Sequence, residues 1–133
     1  ISMSKIKKLK ISHKDKRGLI MDIFQKKNIN HCTLVTFKYN KVRGNHYHKK
    51  SYQYSFIFDG NFTIKEMKIR NNKLNQVKTY KLGKNNFLEH KPFHAHAFKC
   101  NSKKGSLIVF SKGLRGGTDY EKDTFRLLSP ILK

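Results

Sequence analysis

Arg43-Gly44-Asn45-His46-Tyr47-His48-Lys49-Lys50-Ser51-Tyr52-Gln53, continued by Tyr54-Ser55-Phe56-Ile57-Phe58-Asp59-Gly60, is the stretch on which the fold turns. It reads as a strand, a short turn and a second strand that ends in an Asp-Gly tight-turn signal. Residues two apart on a strand point to one face, so His46 and His48 aim two imidazoles into one space. Gln53, at the start of the next strand, can reach the same space. A site inside a sheet or barrel is therefore expected.

The same pattern continues on both sides. Short runs rich in Val, Ile, Phe, Tyr and Thr alternate with clusters of Asn, Gly, Asp and Lys. Strands are expected at Lys5–Ser12, Gly18–Phe24, Cys32–Tyr39, Gly44–His48, Tyr52–Phe58, Asn61–Ile69, Leu74–Leu82, Asn86–His90, Ala95–Cys100 and Ser106–Phe110. Asn71-Asn72 reads as a further turn, since Asn tolerates positive φ. The run Phe62-Ile64-Met67 alternates only with a slip, which suggests a bulge near Glu66. So many short strands in one domain favour a sandwich, jelly roll or small barrel. The tail differs: Thr118-Asp119-Tyr120-Glu121 has capping-box spacing, so a short helical turn is expected, followed by an extended end over Phe125–Leu132.

A chain of 133 residues suffices for a single domain with a core, 1–133, with Ile1-Ser2 ahead of Met3 read as a cloning remnant. No apolar run of about 18 residues occurs, so no membrane-spanning helix is expected. The Lys-rich start has no apolar segment behind it, so no secretory leader is expected. Cys32 and Cys100 are isolated, which suits a reduced cytoplasmic protein with two unpaired thiols. The charge is extreme, 30 Lys+Arg against 8 Asp+Glu and a net +22. Such a field attracts phosphates. Yet the lysines are spread along the whole chain and no helix-turn-helix, zinc-finger or RNP-type motif accompanies them, so a small anionic substrate is expected rather than nucleic acid.

The histidines are clustered. A second H-x-H, His94 and His96, lies in Lys91-Pro92-Phe93-His94-Ala95-His96-Ala97-Phe98. If the two pairs occupy neighbouring strands, three or four imidazoles converge. They can ligate a metal, because neutral imidazole suits several first-row ions. They can equally move protons at neutral pH without one.

His46-x-His48, four residues, Gln53, six residues and Gly60 keep the register of the first cupin motif, with Gln53 in the acidic slot and the leading glycine displaced to Gly44. A degraded second motif places His96 in its His slot, with Lys91, Phe93 and Cys100 where Pro, Gly and Asn are usual. The chain thus resembles the cupin superfamily over roughly residues 30–112. In detail the 43–53 stretch is similar to the WxcM-like sugar 3,4-ketoisomerases and to the cupin domain of capsule-synthesis reductase/epimerases. Phe93–Phe98 is similar to a segment of dTDP-4-dehydrorhamnose 3,5-epimerases, and Thr118-Asp119-Tyr120 to the dimer-forming end of the ketoisomerases.

The resemblance implies an all-β cupin fold, a double-stranded β-helix or jelly-roll barrel with a short helical C-terminal tail. It implies a homodimeric cytoplasmic enzyme of surface-polysaccharide synthesis that isomerises or epimerises a nucleotide-linked 4-keto-6-deoxysugar without a required cofactor. His48 is then the expected base and His46 its partner or oxyanion stabiliser. Arg43 is the expected diphosphate clamp. Lys49, Gln53, Tyr39 and His96 are further candidates for substrate contact, and Tyr47, on the opposite face, is a packing residue. The alternative is a metal site for Zn, Ni or Fe built from His46, His48, Gln53 and His96. A neutral amide in the acidic slot weakens that alternative by removing a charge that favours a divalent cation. No acid occurs between Asp22 and Asp59, so a His–Asp dyad needs a distant carboxylate.

Overall fold

In the computed structural model, residues 5–69, 76–113 and 119–133 are described. Twelve strands and one short helix follow in chain order: β1 Ile6–Lys8, β2 His13–Asp15, β3 Gly18–Ile20, β4 His31–Lys38, β5 Val42–Tyr47, β6 Tyr52–Asp59, β7 Asn61–Lys68, β8 Val77–Gly83, β9 Asn86–His90, β10 His94–Cys100, β11 Lys104–Lys112, α1 Asp119–Lys122 and β12 Phe125–Arg126. They build two five-stranded antiparallel sheets, ordered β1-β9-β6-β11-β4 and β12-β5-β10-β7-β8, and a separate β2–β3 hairpin.

The turns follow from their residues. Gly60, at φ 93°, alone separates β6 from β7, as Asp59-Gly60 foretold. The β4–β5 turn passes through Tyr39-Asn40, with Asn40 at φ 64°. Asn71-Asn72 lies outside the described residues, as does Thr118 of the expected cap.

Three expectations are corrected. The expected strand over Lys5–Ser12 is cut short: β1 ends at Lys8, and Ser12 donates its backbone N–H to the Ile20 carbonyl of the β2–β3 hairpin. The strand from Gly18 stops at Ile20. Phe24 beyond it lies across the outside of the first sheet, stacked on Phe110 at 4.8 Å and edge-on to Tyr54 at 5.1 Å. Finally, β7 carries no bulge, because it pairs without a break against both β8 and β10. Its slip in hydrophobic alternation has another cause. Phe62, Ile64 and Glu66 all face inward, and all three are buried to 1% exposure or less.

The interior is graded from apolar to polar. Inward positions run from Phe62 and Ile64 to Glu66 on β7, and from Cys100 and Phe98 to His96 and His94 on β10. They run from Ile57 to Ser55 and Gln53 on β6, from Leu88 to His90 on β9, and from Leu107 and Val109 to Ser111 on β11. Register aligns these sequences: His96 faces Glu66, and Gln53 pairs with both His90 and Ser111. One half of the sandwich is therefore a conventional core around Phe37, Ile57, Phe62, Leu88 and Phe98, where each buried side chain contributes about 1.5–3 kcal/mol. The other half holds the histidines. Cys32 is exposed and Cys100 buried, and both are free. No helix among the described residues is long and apolar enough to cross a membrane.

The chain's last segment closes the second sheet. β12 pairs with β5, Phe125 opposite Tyr47 and Arg126 opposite His46. Beyond it the Asn45 side chain accepts from the backbone of Ile131 at 2.9 Å and donates to the Leu132 carbonyl at 3.0 Å. Ala95 and Ala97 lie fully buried on β10.

Candidate active site

Three imidazoles converge where β5 and β10 run side by side. His46 and His96 are direct cross-strand partners, and His48 follows two residues on. Ring centroids are 5.1 Å apart for His46–His48, 5.0 Å for His46–His96 and 5.7 Å for His48–His96. One nitrogen from each ring falls within 4.8 Å of the others.

Main-chain carbonyls orient two of the rings. His48 Nδ1 donates to the Asp123 carbonyl at 2.7 Å, and His96 Nδ1 to the His94 carbonyl at 3.2 Å. A nitrogen that donates to a carbonyl carries the proton, so each neutral ring keeps its lone pair on Nε2. Burial, then the neighbouring rings of His90, His46 and His48, hold His96 well below the ordinary imidazole value, so this ring is a neutral base.

A β-bulge places the cation. On β10 the step from His96 to Ala97 is matched on β5 by the step from His46 to Gly44, which leaves Asn45 as the extra residue. Gly44 and Asn45 adopt φ of 111° and 57°. The inserted residue reverses the odd–even alternation, so Arg43 comes to the same face as His46 and pairs with inward-facing Phe98. Glycine is required at 44 because a Cβ there would lie 2.5 Å from the His96 carbonyl oxygen. Arg43 Nε donates to the Thr36 carbonyl at 3.2 Å, and its guanidinium lies 5.5 Å over the Phe37 ring.

His46, His96, Gln53 and Arg43 all line one cavity of about 620 Å³ between the two sheets. Arg126 lines it as well, held in a bidentate pair with Glu121 at 2.9 Å for each bond. Three expected site residues are not among its lining: His48 is buried behind it, packed against the rings of His46 and His96, and Lys49 and Tyr39 lie elsewhere. Lys49 stands in the turn after β5 with its ammonium 4.2 Å over the Phe125 ring, and Tyr39 sits at the tip of the β4–β5 turn, 61% exposed. Tyr47 stacks on Phe125 at 5.5 Å, a packing role. The fourth ring of the cluster is His90, 4.5 Å from His96, rather than His94, whose Nδ1 is tied to the Pro92 carbonyl.

Four residues escaped the sequence reading. Glu66 and His90 lie buried behind His96, with Oε2 and Nδ1 3.7 Å apart. Inward parity with Ile64 and Leu88 was the available signal for both. Asp123 carries no local signal, since its partners are more than 70 residues away, and Arg126 reaches the cavity only through the pairing of β12 with β5. The Asp123 carboxylate accepts from the backbone of Lys49, Lys50 and Ser51 and so fixes the turn that follows His48. Burial raises the Asp123 carboxyl, but these donors and the Ser51 hydroxyl outweigh it and hold it below its usual range.

Paired antiparallel sheets with an imidazole-lined cavity between them define a cupin jelly roll. The chain belongs to the polysaccharide biosynthesis C-terminal domain family, whose model matches residues 13–114. Solved structures carry the same fold. A sugar 3,4-ketoisomerase from Thermoanaerobacterium thermosaccharolyticum in complex with TDP is 22% identical with a TM-score of 0.75, over 94% of this chain and 88% of that one. A 3,4-ketoisomerase from Helicobacter canadensis is 20% identical with a TM-score of 0.76, over 95% and 92%. The dTDP-6-deoxy-D-glucose-3,5-epimerase of Legionella pneumophila, bound to dTDP-4-keto-L-rhamnose, is 16% identical with a TM-score of 0.78, over 98% and 79%. No curated protein sequence matches the chain.

Proposed function

We propose that the protein is a sugar-nucleotide isomerase that moves the carbonyl of a nucleotide-activated 4-keto-6-deoxysugar from C4 to C3. The observation that carries this reading is the convergence of three imidazoles, His48 and His96 with the proton on Nδ1, of which His46 and His96 line a cavity that also holds Arg43. The likeness to ketoisomerases and epimerases of dTDP-sugars supports the substrate class. The proton at C3 is acidified by the neighbouring carbonyl. His48 Nε2 removes it, and the electron pair moves to the C4 oxygen to give an enediolate. The C3 hydroxyl proton then passes to the C4 oxygen as the His48 imidazolium returns a proton to carbon C4, which leaves a carbonyl at C3 and a hydroxyl at C4. Positioned acid–base groups contribute about 10²–10⁴-fold each. His46 stabilises the oxyanion, Gln53 and His96 contact the sugar, and Arg43 holds the diphosphate.

Return of the proton to the opposite face of C3 would be epimerisation, and deuterium separates the two. In deuterated water, dTDP-4-keto-6-deoxyglucose should give a 3-keto product labelled at C4, read by NMR. Label at C3 with inversion would select the epimerase reading. Unlabelled, unconverted sugar would overturn both, and His48→Ala should abolish conversion.

A metal reading has its own observation, the three imidazole nitrogens within 4.8 Å of one another. With the Gln53 amide oxygen they fit a first-row divalent ion. Such an ion would polarise the keto oxygen as a Lewis acid. Elemental analysis of purified protein, with His46→Ala as control, tests it. The proposal otherwise needs no cofactor and sets the enzyme in the cytoplasm among nucleotide sugars. It also includes a homodimer, because β4 is a sheet edge and Leu34 and Phe58 are exposed by 66% and 54% on the outside of that sheet.

A further inference from the structure

The extra residue of a β-bulge has no partner in its own ladder. For Asn45 of β5, left without a partner on β10, the segment 127–132 supplies one. Leu127 donates its backbone N–H to the Asn45 carbonyl at 2.9 Å. Further on, Ile131 and Leu132 both donate their backbone N–H groups to Asn45 Oδ1, at 2.9 and 3.2 Å. Asn45 Nδ2 in turn donates to the Leu132 carbonyl at 3.0 Å. The segment thus leaves β5 at Asn45 and closes on the same residue, first through its main chain and then through its side chain.

This strap is tied to the outside of the second sheet at a second point. Lys99, which pairs with Val42 of β5, donates its ammonium to the Lys133 carbonyl at 2.9 Å. His94, His96, Phe98 and Cys100 point inward from β10, so Ala95, Ala97 and Lys99 face outward. Ala95 and Ala97 nonetheless have no exposed surface, and Leu132 of the strap keeps only 6%. The alternation that turns histidines into the cavity therefore turns methyl groups to the face on which the strap is tied, where a small side chain lets another segment come close.

What the strap fixes is register. A strand that slips by one residue turns every side chain to the other face. Arg43 and His46 share a face only while the inserted residue stays at position 45. Ladder bonds to β10 cannot hold it there, because the inserted residue makes none, whereas the strap contributes four hydrogen bonds to it. Asparagine suits both tasks: it tolerates the φ of 57°, and its amide accepts and donates at once.

We infer that Asn45 is a positioning residue, latched by the segment 127–132, that keeps the bulge in place and with it the alignment of Arg43 with His46 and His96. The inference deepens the proposed function and rests on it only where turnover is measured.

Two full-length variants test it. Asn45→Gly keeps the left-handed backbone and removes the amide. Ile131→Pro deletes one N–H donor and leaves Asn45 itself intact. Amide hydrogen exchange at Leu132 should quicken about tenfold or more in both. The NMR signals of the Arg43 Nε–H and of the His96 ring should leave their native positions, while the ring signals of exposed His13 stay. The kcat for a nucleotide-linked 4-keto-6-deoxysugar, per folded molecule, should fall about fivefold or more. Unchanged exchange overturns the inference. So do native Arg43 and His96 signals, or native kcat, in either variant, because a strap with structural weight alone would lower only the unfolding midpoint. The two proposals fail separately. Displaced signals in a protein that never converts the keto-sugar keep the latch and remove the isomerase. Conversion by the native protein, with signals and kcat unmoved in both variants, does the reverse.

Discussion

Glu66 Oε2 lies 3.7 Å from His90 Nδ1, and neither side chain exposes more than 2% of its surface. Polar groups shut away from water are costly unless a polar neighbour lies close, and each of these two is such a neighbour for the other. Neither His90 nitrogen has a hydrogen-bond partner among the described residues, so Glu66 is its recorded polar neighbour. Removing one member of such a pair leaves the other stranded. Glu66→Ala should lower the free energy of unfolding by about 3–5 kcal/mol in urea titrations. Glu66→Met/His90→Phe should recover more than half of that loss. If the single variant is near-neutral, the pair carries no structural weight.

Gly44→Ala should be damaging for a different reason. Its Cβ would meet the His96 carbonyl oxygen at 2.5 Å and Ala97 Cα at 2.8 Å, at a φ of 111°. Both obstacles are backbone, so relief requires β5 and β10 to part. A cost of at least about 2 kcal/mol is expected from thermal unfolding. Loss of activity beyond the unfolded fraction is expected too, because the bulge is what sets Arg43 beside His46.

Asp123 should report in acid. Its carboxyl lies below the ordinary 3.8 in the folded protein. A carboxyl lowered by folding stabilises above its unfolded value, and that contribution disappears as pH falls through the folded one. Stability of the native protein should therefore drop below about pH 4. In Asp123→Asn that limb should flatten, as chemical denaturation at pH 5, 4 and 3 would show. Asp123→Ala, which strands three backbone donors, should cost about 2–4 kcal/mol at pH 7.

His96 should act at milder pH. Held neutral by burial and by neighbouring imidazoles, it binds its proton more weakly folded than unfolded. The unfolded chain therefore takes up the extra proton. The stabilisation is complete above pH 6.5 and is lost as pH falls below it. His96→Gln should reduce the slope of stability between pH 6.5 and 5 by up to about 1.4 kcal/mol per pH unit. An unchanged slope would mean that the ring is already protonated in the fold.

Much of this was legible because β-structure writes its period directly. Asn86–His90 was expected and found with the same bounds, and Asp59-Gly60 marked its turn. His46, His48, Gln53 and His96 come together as their spacing suggested, with His46, Gln53 and His96 on the cavity and His48 packed against the other rings. What failed did so where chemistry overrode pattern. Glu66 looked like a slip because polar residues are expected to face outward. Arg43 has the wrong parity for His46 until Asn45 is seen as an insertion. Lys49 is drawn to Phe125 by a segment more than 70 residues away, and the same segment supplies Asp123. Contacts of that range leave no periodic trace.

The bond from His48 to the Asp123 carbonyl joins residues 75 positions apart. During synthesis or refolding, the strands that frame the cavity can pair before that partner arrives. The ring of His48 would then be free to exchange its proton between nitrogens, and the turn after it would lack its anchor. The barrel's shape and its chemical competence are thus separate events in time. In a stopped-flow experiment, the far-ultraviolet signal of the sheets should plateau first, and catalysis should appear only after the strand at Phe125–Arg126 has docked.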